Sequence, residues 1–145
     1  MITGKNQIGF SQSALGKTTF KTFNPILNTE NKTLFFEAND DEINQAVKLA
    51  SQAFETYKTI DGAKKAIFLR AIADEILDLG DALIKMYCSE SGLTETRAIS
   101  ERGRTIFQLQ SFADLVAEGS WVEASIDTAI PDRQPIPKVD LRKML

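Results

Sequence analysis

The chain has 145 residues, 43% of them hydrophobic and 26% charged, and a formal net charge of −3. This length is enough for one domain whose core needs no disulfide or metal, and the slightly acidic balance argues against a nucleic-acid partner or an anionic membrane surface. With no histidine and one cysteine, metal sites, internal disulfides and Ser-His catalysis are not expected. No apolar run approaches the roughly 18 residues of a membrane span, and no signal peptide is recognisable, so a cytoplasmic protein is expected.

Extended segments precede the first predicted helix. Residues 1–17 show no periodicity and predict an extended arm or a short edge strand. Residues 18–23 and 33–37 are rich in β-branched and aromatic side chains, which predicts a β-hairpin. The polar tetrapeptide at 28–31, Asn-Thr-Glu-Asn, is the expected turn.

Apolar periodicity predicts a long helix at 40–58 and another at 62–91. In the first, Asn39 is the expected N-cap and Glu42 completes a capping box. Gly80 can interrupt the second, with Asp81 capping its continuation. The inward face of the first helix is expected to consist of Ile43, Ala46, Val47, Ala50, Ala53, Phe54 and Tyr57. The inward face of the second is expected to consist of Leu69, Ile72, Ala73, Ile76, Leu83, Ile84, Tyr87 and Cys88.

A third helix is predicted at 94–118, with Thr94 as its N-cap. Arg102 lies in the middle of its apolar stripe, whereas Arg104 lies on the opposite face, one turn from Gln108. A buried guanidinium requires a carboxylate, a carbonyl or a bound anion as its partner. The pattern therefore indicates either an internal ion pair or an anion-recognising group on this helix.

The last segment, 121–145, begins and ends with alternating apolar and polar residues, and three prolines lie between these two stretches. Short strands are expected at 121–127 and from Val139 onward, joined by a long loop. Because the sequence stops within the second strand without a turn, we expect it to be cut from a longer protein.

From Phe23 onward the chain has a strong family likeness. It is carried by five strings in this order: ESGLTETR, ERGRT, QLQSFAD, EGSW and PIPKVDLRKML. It resembles the N-terminal part of an NAD(P)-dependent aldehyde dehydrogenase. Within that family it is most similar to the bacterial α-ketoglutarate semialdehyde (2,5-dioxopentanoate) dehydrogenases and the long-chain aldehyde dehydrogenases.

The resemblance implies a fold that is mainly α with short strands in this part of an α/β protein. It implies that residues 1–120 are the N-terminal helical part of the coenzyme-binding domain and that 121–145 begin an oligomerisation arm. The full-length enzyme is then expected to be a homo-oligomer that uses NADP or NAD to oxidise an aldehyde, α-ketoglutarate semialdehyde in particular. The family's catalytic residues lie beyond Leu145, so the chain alone is expected to be inactive and to bind no coenzyme.

Alignment of the family's helix through the Phe112-Ala113 pair implies that Arg104 faces the substrate tunnel, with Gln108 one turn on. Both are therefore expected to bind substrate, with Arg102 as the alternative to Arg104. The ordinary alternative for either arginine is a salt bridge, to be sought among Glu95, Glu101 and Asp114. The alternative for the whole chain is a free-standing helical interaction module without catalysis.

Overall fold

The computed structural model describes residues 2–143, and in this range helices dominate. The mainly α fold with short strands is confirmed. The strands form three separate two-stranded antiparallel sheets, β1 with β2, β3 with β4 and β5 with β6. In chain order the elements are β1 (Asn6–Ile8), β2 (Ser11–Ser13), β3 (Thr19–Asn24), β4 (Thr29–Phe36), α1 (Asp40–Tyr57), α2 (Gly62–Asp78), α3 (Gly80–Ser91), α4 (Glu95–Glu118), a short 3-10 helix (Ser120–Val122), β5 (Ser125–Asp127) and β6 (Leu141–Lys143).

The β3–β4 hairpin was predicted, but its turn lies earlier than the prediction at 28–31. Strand β4 already begins at Thr29, and the turn falls at 25–28. The side-chain oxygen of Asn24 accepts hydrogen bonds from the backbone N–H groups of Ile26 and Leu27, both at 3.0 Å. This Asx turn reverses the chain beside Pro25, so only the last three residues of the polar tetrapeptide, 29–31, lie in the return strand.

Helix α1 begins as predicted, but its apolar face is not core. Asn39 and Glu42 form the full capping box. Nevertheless, Ile43 is 50% exposed, Val47 64% and Phe54 58%. The prediction that this face is buried is therefore wrong for the described residues, in which α1 packs mainly against the β1–β2 hairpin.

The helix predicted at 62–91 is two helices, α2 and α3. Asp61 caps α2, with its carboxylate accepting from the N–H of Lys64 at 2.7 Å. Gly80 then adopts φ +52°, a left-handed conformation that ends the regular path of α2. Helix α3 has no side-chain cap, so Asp81 does not cap it as expected.

The core lies between α2 and α4. Its most deeply buried members are small: Ala66, Ala73 and Ala113 are all 0% exposed. Small side chains let the two helix backbones approach closely. At Gly62 an added Cβ would lie only 2.0 Å from the carbonyl oxygen of Val116. The predicted helix at 94–118 is confirmed by α4, whose ends are formed by the Thr94 side chain and by Gly119 at φ +82°.

The segment after α4 forms an exposed hairpin. Residues 120–122, predicted in part as a strand, are a 3-10 helix instead, and the first strand is confined to Ser125–Asp127. It pairs with β6, and an isolated bridge joins Ile130 to Lys138. The predicted strand from Val139 is observed as Leu141–Lys143, and residues 144–145 lie outside the described part.

Candidate functional site

The two predicted substrate-binding residues line the same cavity. Arg104 and Gln108 lie one turn apart on α4 and are both exposed. The cavity has a volume of about 500 Å³. Its lining residues are Leu69 from α2 and Glu101, Arg104, Thr105, Gln108, Leu109 and Phe112 from α4.

The chemistry of this cavity suits a small anion with a short carbon chain. The Arg104 guanidinium carries several N–H donors in a planar fork, which matches a carboxylate. The Gln108 amide adds a donor and an acceptor, and Leu69, Leu109 and Phe112 supply apolar surface. Within residues 2–143 Arg104 takes part in no ion pair with a protein carboxylate.

Arg102 lies where the periodicity predicted it, in the half-buried stripe of α4. Its Nη1 donates a hydrogen bond of 3.3 Å to the carbonyl oxygen of Gly80, at the break between α2 and α3. It lines a second cavity of about 270 Å³, whose walls are mainly apolar. A backbone carbonyl is thus its partner, which is one of the three alternatives that the sequence left open.

Two of the three carboxylates that were considered as partners of these arginines are held by other residues, and Glu95 forms no ion pair within residues 2–143. Glu101 forms an ion pair with Arg97, one turn earlier on α4. Asp114 pairs with Arg70 of α2, with an N–O distance of 2.6 Å. In the described part of the chain, the ordinary salt bridges expected for Arg102 and Arg104 are therefore not formed.

The most deeply buried charged group is Glu42, which is 1% exposed. Its Oε1 accepts hydrogen bonds from the Ser13 hydroxyl and from the N–H of Leu15 at 3.1 Å. Its Oε2 accepts from the N–H of Asn39 at 3.0 Å. These donors, that of Ser13 first, lower the pKa of Glu42 from 4.5 to about 2.

Glu42 is a structural group that the sequence identified only in part. The spacing to Asn39 revealed the capping box, but nothing in the sequence linked Glu42 to Ser13 and Leu15, which precede it by 29 and 27 residues. Because one carboxylate binds both the arm, at Ser13 and Leu15, and the N-cap residue Asn39, it fixes the N-terminal arm to the start of α1.

Other classes of site find little support in residues 2–143. No group of three or more Cys, Asp or Glu residues in this range is arranged to hold a metal ion. The helices described there are too short or too polar to cross a membrane. Cys88 is half-buried within α3, in the packing position that its sequence neighbours predicted.

Comparison with known proteins gives a consistent family match. The sequence model of the aldehyde dehydrogenase family matches residues 10–136. The chain is 42% identical over 142 residues to alpha-ketoglutaric semialdehyde dehydrogenase 2 of Azospirillum brasilense. It is 38% identical over 140 residues to alpha-ketoglutaric semialdehyde dehydrogenase of Acinetobacter baylyi. Each match covers 97% of this chain but only 27% of the relative, so the chain spans about a quarter of their length.

Two solved structures share the fold. One is betaine aldehyde dehydrogenase from Staphylococcus aureus in complex with NAD+, with a TM-score of 0.74 and 22% identity. The match covers 90% of this chain and 26% of the betaine aldehyde dehydrogenase chain. The other is an NAD-dependent benzaldehyde dehydrogenase from Corynebacterium glutamicum, with a TM-score of 0.69 and 15% identity. The match covers 93% of this chain and 28% of the benzaldehyde dehydrogenase chain.

Proposed function

Because the chain belongs to the aldehyde dehydrogenase family, we propose that it forms the N-terminal portion of an NAD(P)-dependent enzyme that oxidises α-ketoglutarate semialdehyde to the carboxylic acid. The substrate is proposed from the two relatives, at 42% and 38% identity, whose names specify alpha-ketoglutaric semialdehyde. The cavity that contains Arg104 and Gln108 is the observation that carries the proposal in this chain.

The amount of exposed surface supports a role as part of a larger molecule. A compact monomer of 16.1 kDa exposes about 7,400 Å², whereas this chain exposes 11,396 Å². The difference, about 4,000 Å² on this chain alone, exceeds the roughly 1,000–2,500 Å² that a permanent interface buries on each partner. We infer that the apolar face of α1 and the hairpin after α4 are covered in the full-length enzyme.

The coenzyme is assigned to residues outside this chain. The sequence has no Gly-x-Gly-x-x-Gly string, and a glycine-rich loop of that kind is what lets a backbone approach a pyrophosphate. When bound, NAD+ or NADP+ accepts the hydride that leaves the aldehyde carbon. Residues 1–120 would then contribute the helical part of the coenzyme-binding domain without contacting the nicotinamide.

Arg104 is proposed to hold the carboxylate at the end of the substrate remote from the aldehyde. A guanidinium fork can bind that carboxylate through two parallel hydrogen bonds, and Gln108 can donate a third. Anchoring the remote end restricts the position of the reacting carbon, so the contact contributes to reactivity as well as to affinity. A cavity of about 500 Å³ is large enough for a five-carbon acid.

Residues 121–145 are proposed to begin an arm that pairs with another subunit of a cytoplasmic homo-oligomer. Strands β5 and β6 form a sheet of their own, and its outer edges carry unpaired backbone groups. Ile126 is 65% exposed and Val139 76%. Pairing with a second copy would cover both the edges and these side chains.

Substitution of Arg104 in the full-length enzyme tests the proposal. Arg104→Ala is expected to lower kcat/KM for α-ketoglutarate semialdehyde by about 1.5 to 3 kcal/mol, roughly 10- to 150-fold, since it removes a charged hydrogen bond. Oxidation of pentanal, which has the same carbon count and no carboxylate, should be spared. Arg102→Ala is the matched control, because Arg102 lines the other cavity. Equal losses on both substrates would make Arg104 a structural residue, and a selective loss in Arg102→Ala alone would transfer the role to Arg102.

A further inference from the structure

The cavity proposed to bind a carboxylate also contains a carboxylate of its own. Glu101 and Arg104 are three residues apart on α4 and line the same space. A glutamate three or four residues before an arginine on a helix is well placed to pair with it. Yet in the structure Glu101 pairs backward with Arg97, and the guanidinium of Arg104 is left without a carboxylate partner in residues 2–143.

We propose that Arg97 is a positioning residue for substrate specificity: by holding Glu101, it keeps Arg104 available for an acidic substrate. This inference rests on the proposed function of Arg104. The lining residues of the cavity include one cation, Arg104, and one anion, Glu101, so their charges cancel. With Arg97 paired to Glu101, the three side chains together carry a net charge of about +1, which favours binding of a carboxylate.

Removing Arg97 would act against an acidic substrate in two ways. Glu101 would become free to pair with Arg104, and this competition would reduce the fraction of enzyme with an open guanidinium. The uncompensated Glu101 charge would also repel the substrate carboxylate across a few ångströms. Together we expect a loss of about 3- to 10-fold in kcat/KM for acidic aldehydes. A neutral aldehyde is not subject to either effect.

The ordinary alternative is that the pair only stabilises the surface of α4. The Arg97 side chain is 61% exposed and that of Glu101 28%, and exposed pairs at this spacing contribute little to stability. That alternative predicts no difference between acidic and neutral substrates. It also predicts no benefit from removing Glu101 in an enzyme that already lacks Arg97.

The test compares Arg97→Gln, Arg97→Lys, Glu101→Gln, the double variant Arg97→Gln with Glu101→Gln, and Arg104→Gln in the full-length enzyme. For each variant, kcat/KM is measured with α-ketoglutarate semialdehyde and with pentanal. We expect Arg97→Gln to lose activity selectively on the acid, Arg97→Lys to retain it, and the double variant to return to the level of Glu101→Gln. An equal effect of Arg97→Gln on both substrates, or a double variant no better than Arg97→Gln, would overturn the inference.

Arg104→Gln separates failure of the inference from failure of the proposed function. If Arg104→Gln impairs the acid selectively and Arg97→Gln does not, Arg104 binds the carboxylate without help from Arg97, and only the inference is wrong. If Arg104→Gln affects both substrates equally, the proposed binding site itself is wrong, and the role of Arg97 is overturned with it.

Discussion

The close approach of α2 and α4 makes a quantitative prediction for the same substitution at two glycines. At Gly62, the first residue of α2, an added Cβ would lie 2.0 Å from the Val116 carbonyl oxygen and 3.1 Å from its carbon. At Gly103, in the middle of α4, an added Cβ meets nothing within 4 Å. Gly62→Ala and Gly103→Ala should therefore change the free energy of unfolding in opposite directions.

The magnitudes follow from the contacts. Real Cβ atoms essentially never lie within 3.0 Å of a non-bonded heavy atom. Gly62→Ala must therefore move the backbones of α2 and α4 apart by about 1 Å. That displacement disturbs a tightly packed helix pair and costs about 1–3 kcal/mol of stability. The higher helix propensity of alanine offsets less than about 1 kcal/mol of this loss at the first turn. We expect a net destabilisation of about 1–2 kcal/mol. Gly103→Ala should stabilise by about 0.5–1 kcal/mol, since it only replaces glycine within a helix.

Urea unfolding of the chain followed by far-ultraviolet circular dichroism measures both effects. The two variants and the parent should have similar slopes with denaturant and different midpoints. A Gly62→Ala variant as stable as the parent would refute the described approach of α2 to α4. A destabilised Gly103→Ala would refute the open space around that position.

Two further predictions concern the ends of the chain. Glu42→Gln should lower the melting temperature at neutral pH and expose residues 2–17 to proteolysis, because the carboxylate loses its charge while three donors still face it. The folded-state pKa is depressed from 4.5 to about 2, so this stability is present above about pH 4.5 and is lost as the pH falls toward 2. The melting temperatures of parent and variant should converge there, and a constant difference would contradict the assignment. We expect the 145-residue chain to self-associate through the exposed β5–β6 hairpin, so a chain that ends at Ser120 should keep its helicity and sediment as a monomer in sedimentation velocity. Association of the shortened chain to the same extent would exclude the arm as its cause.

Helix boundaries were predictable because local chemistry determines them. Asn39, Asp61 and Thr94 each accept a hydrogen bond from the backbone N–H three residues later, and this requires only the cap and the first turn of its own helix. Gly119 at φ +82° ends α4 for an equally local reason. The sequence predicted an interruption at Gly80 within one helix at 62–91, whereas the structure has two separate helices there.

Burial was less predictable, since it depends on what lies opposite a helix. The periodicity of α1 identified an apolar face correctly, but a pattern cannot supply the element that covers it, and Val47 remains 64% exposed. The partners of Glu42 were equally hidden, because Ser13 and Leu15 are brought to it by the tertiary fold. The same limit applied to Glu101, whose competing partners Arg97 and Arg104 are both at helical spacing.

The arginines of α4 show both what periodicity predicts and what depends on the tertiary fold. Periodicity predicted a buried Arg102, whereas the structure leaves it half-buried with a carbonyl partner at Gly80. The exposed position of Arg104 also followed from periodicity, but the cavity that it shares with Leu69 depends on how α2 packs against α4. Its role in substrate binding came from the family resemblance and stays a prediction.

The most direct test of the central claim is the substrate preference of the full-length enzyme. Its kcat/KM would be measured for α-ketoglutarate semialdehyde and for the neutral amide of the same compound, with NAD+ and with NADP+ in turn. If Arg104 holds the remote carboxylate, the acid should be preferred by roughly 10-fold or more with the coenzyme that the enzyme uses. Equal rates for acid and amide, or oxidation of neither compound with either coenzyme, would contradict the proposed function.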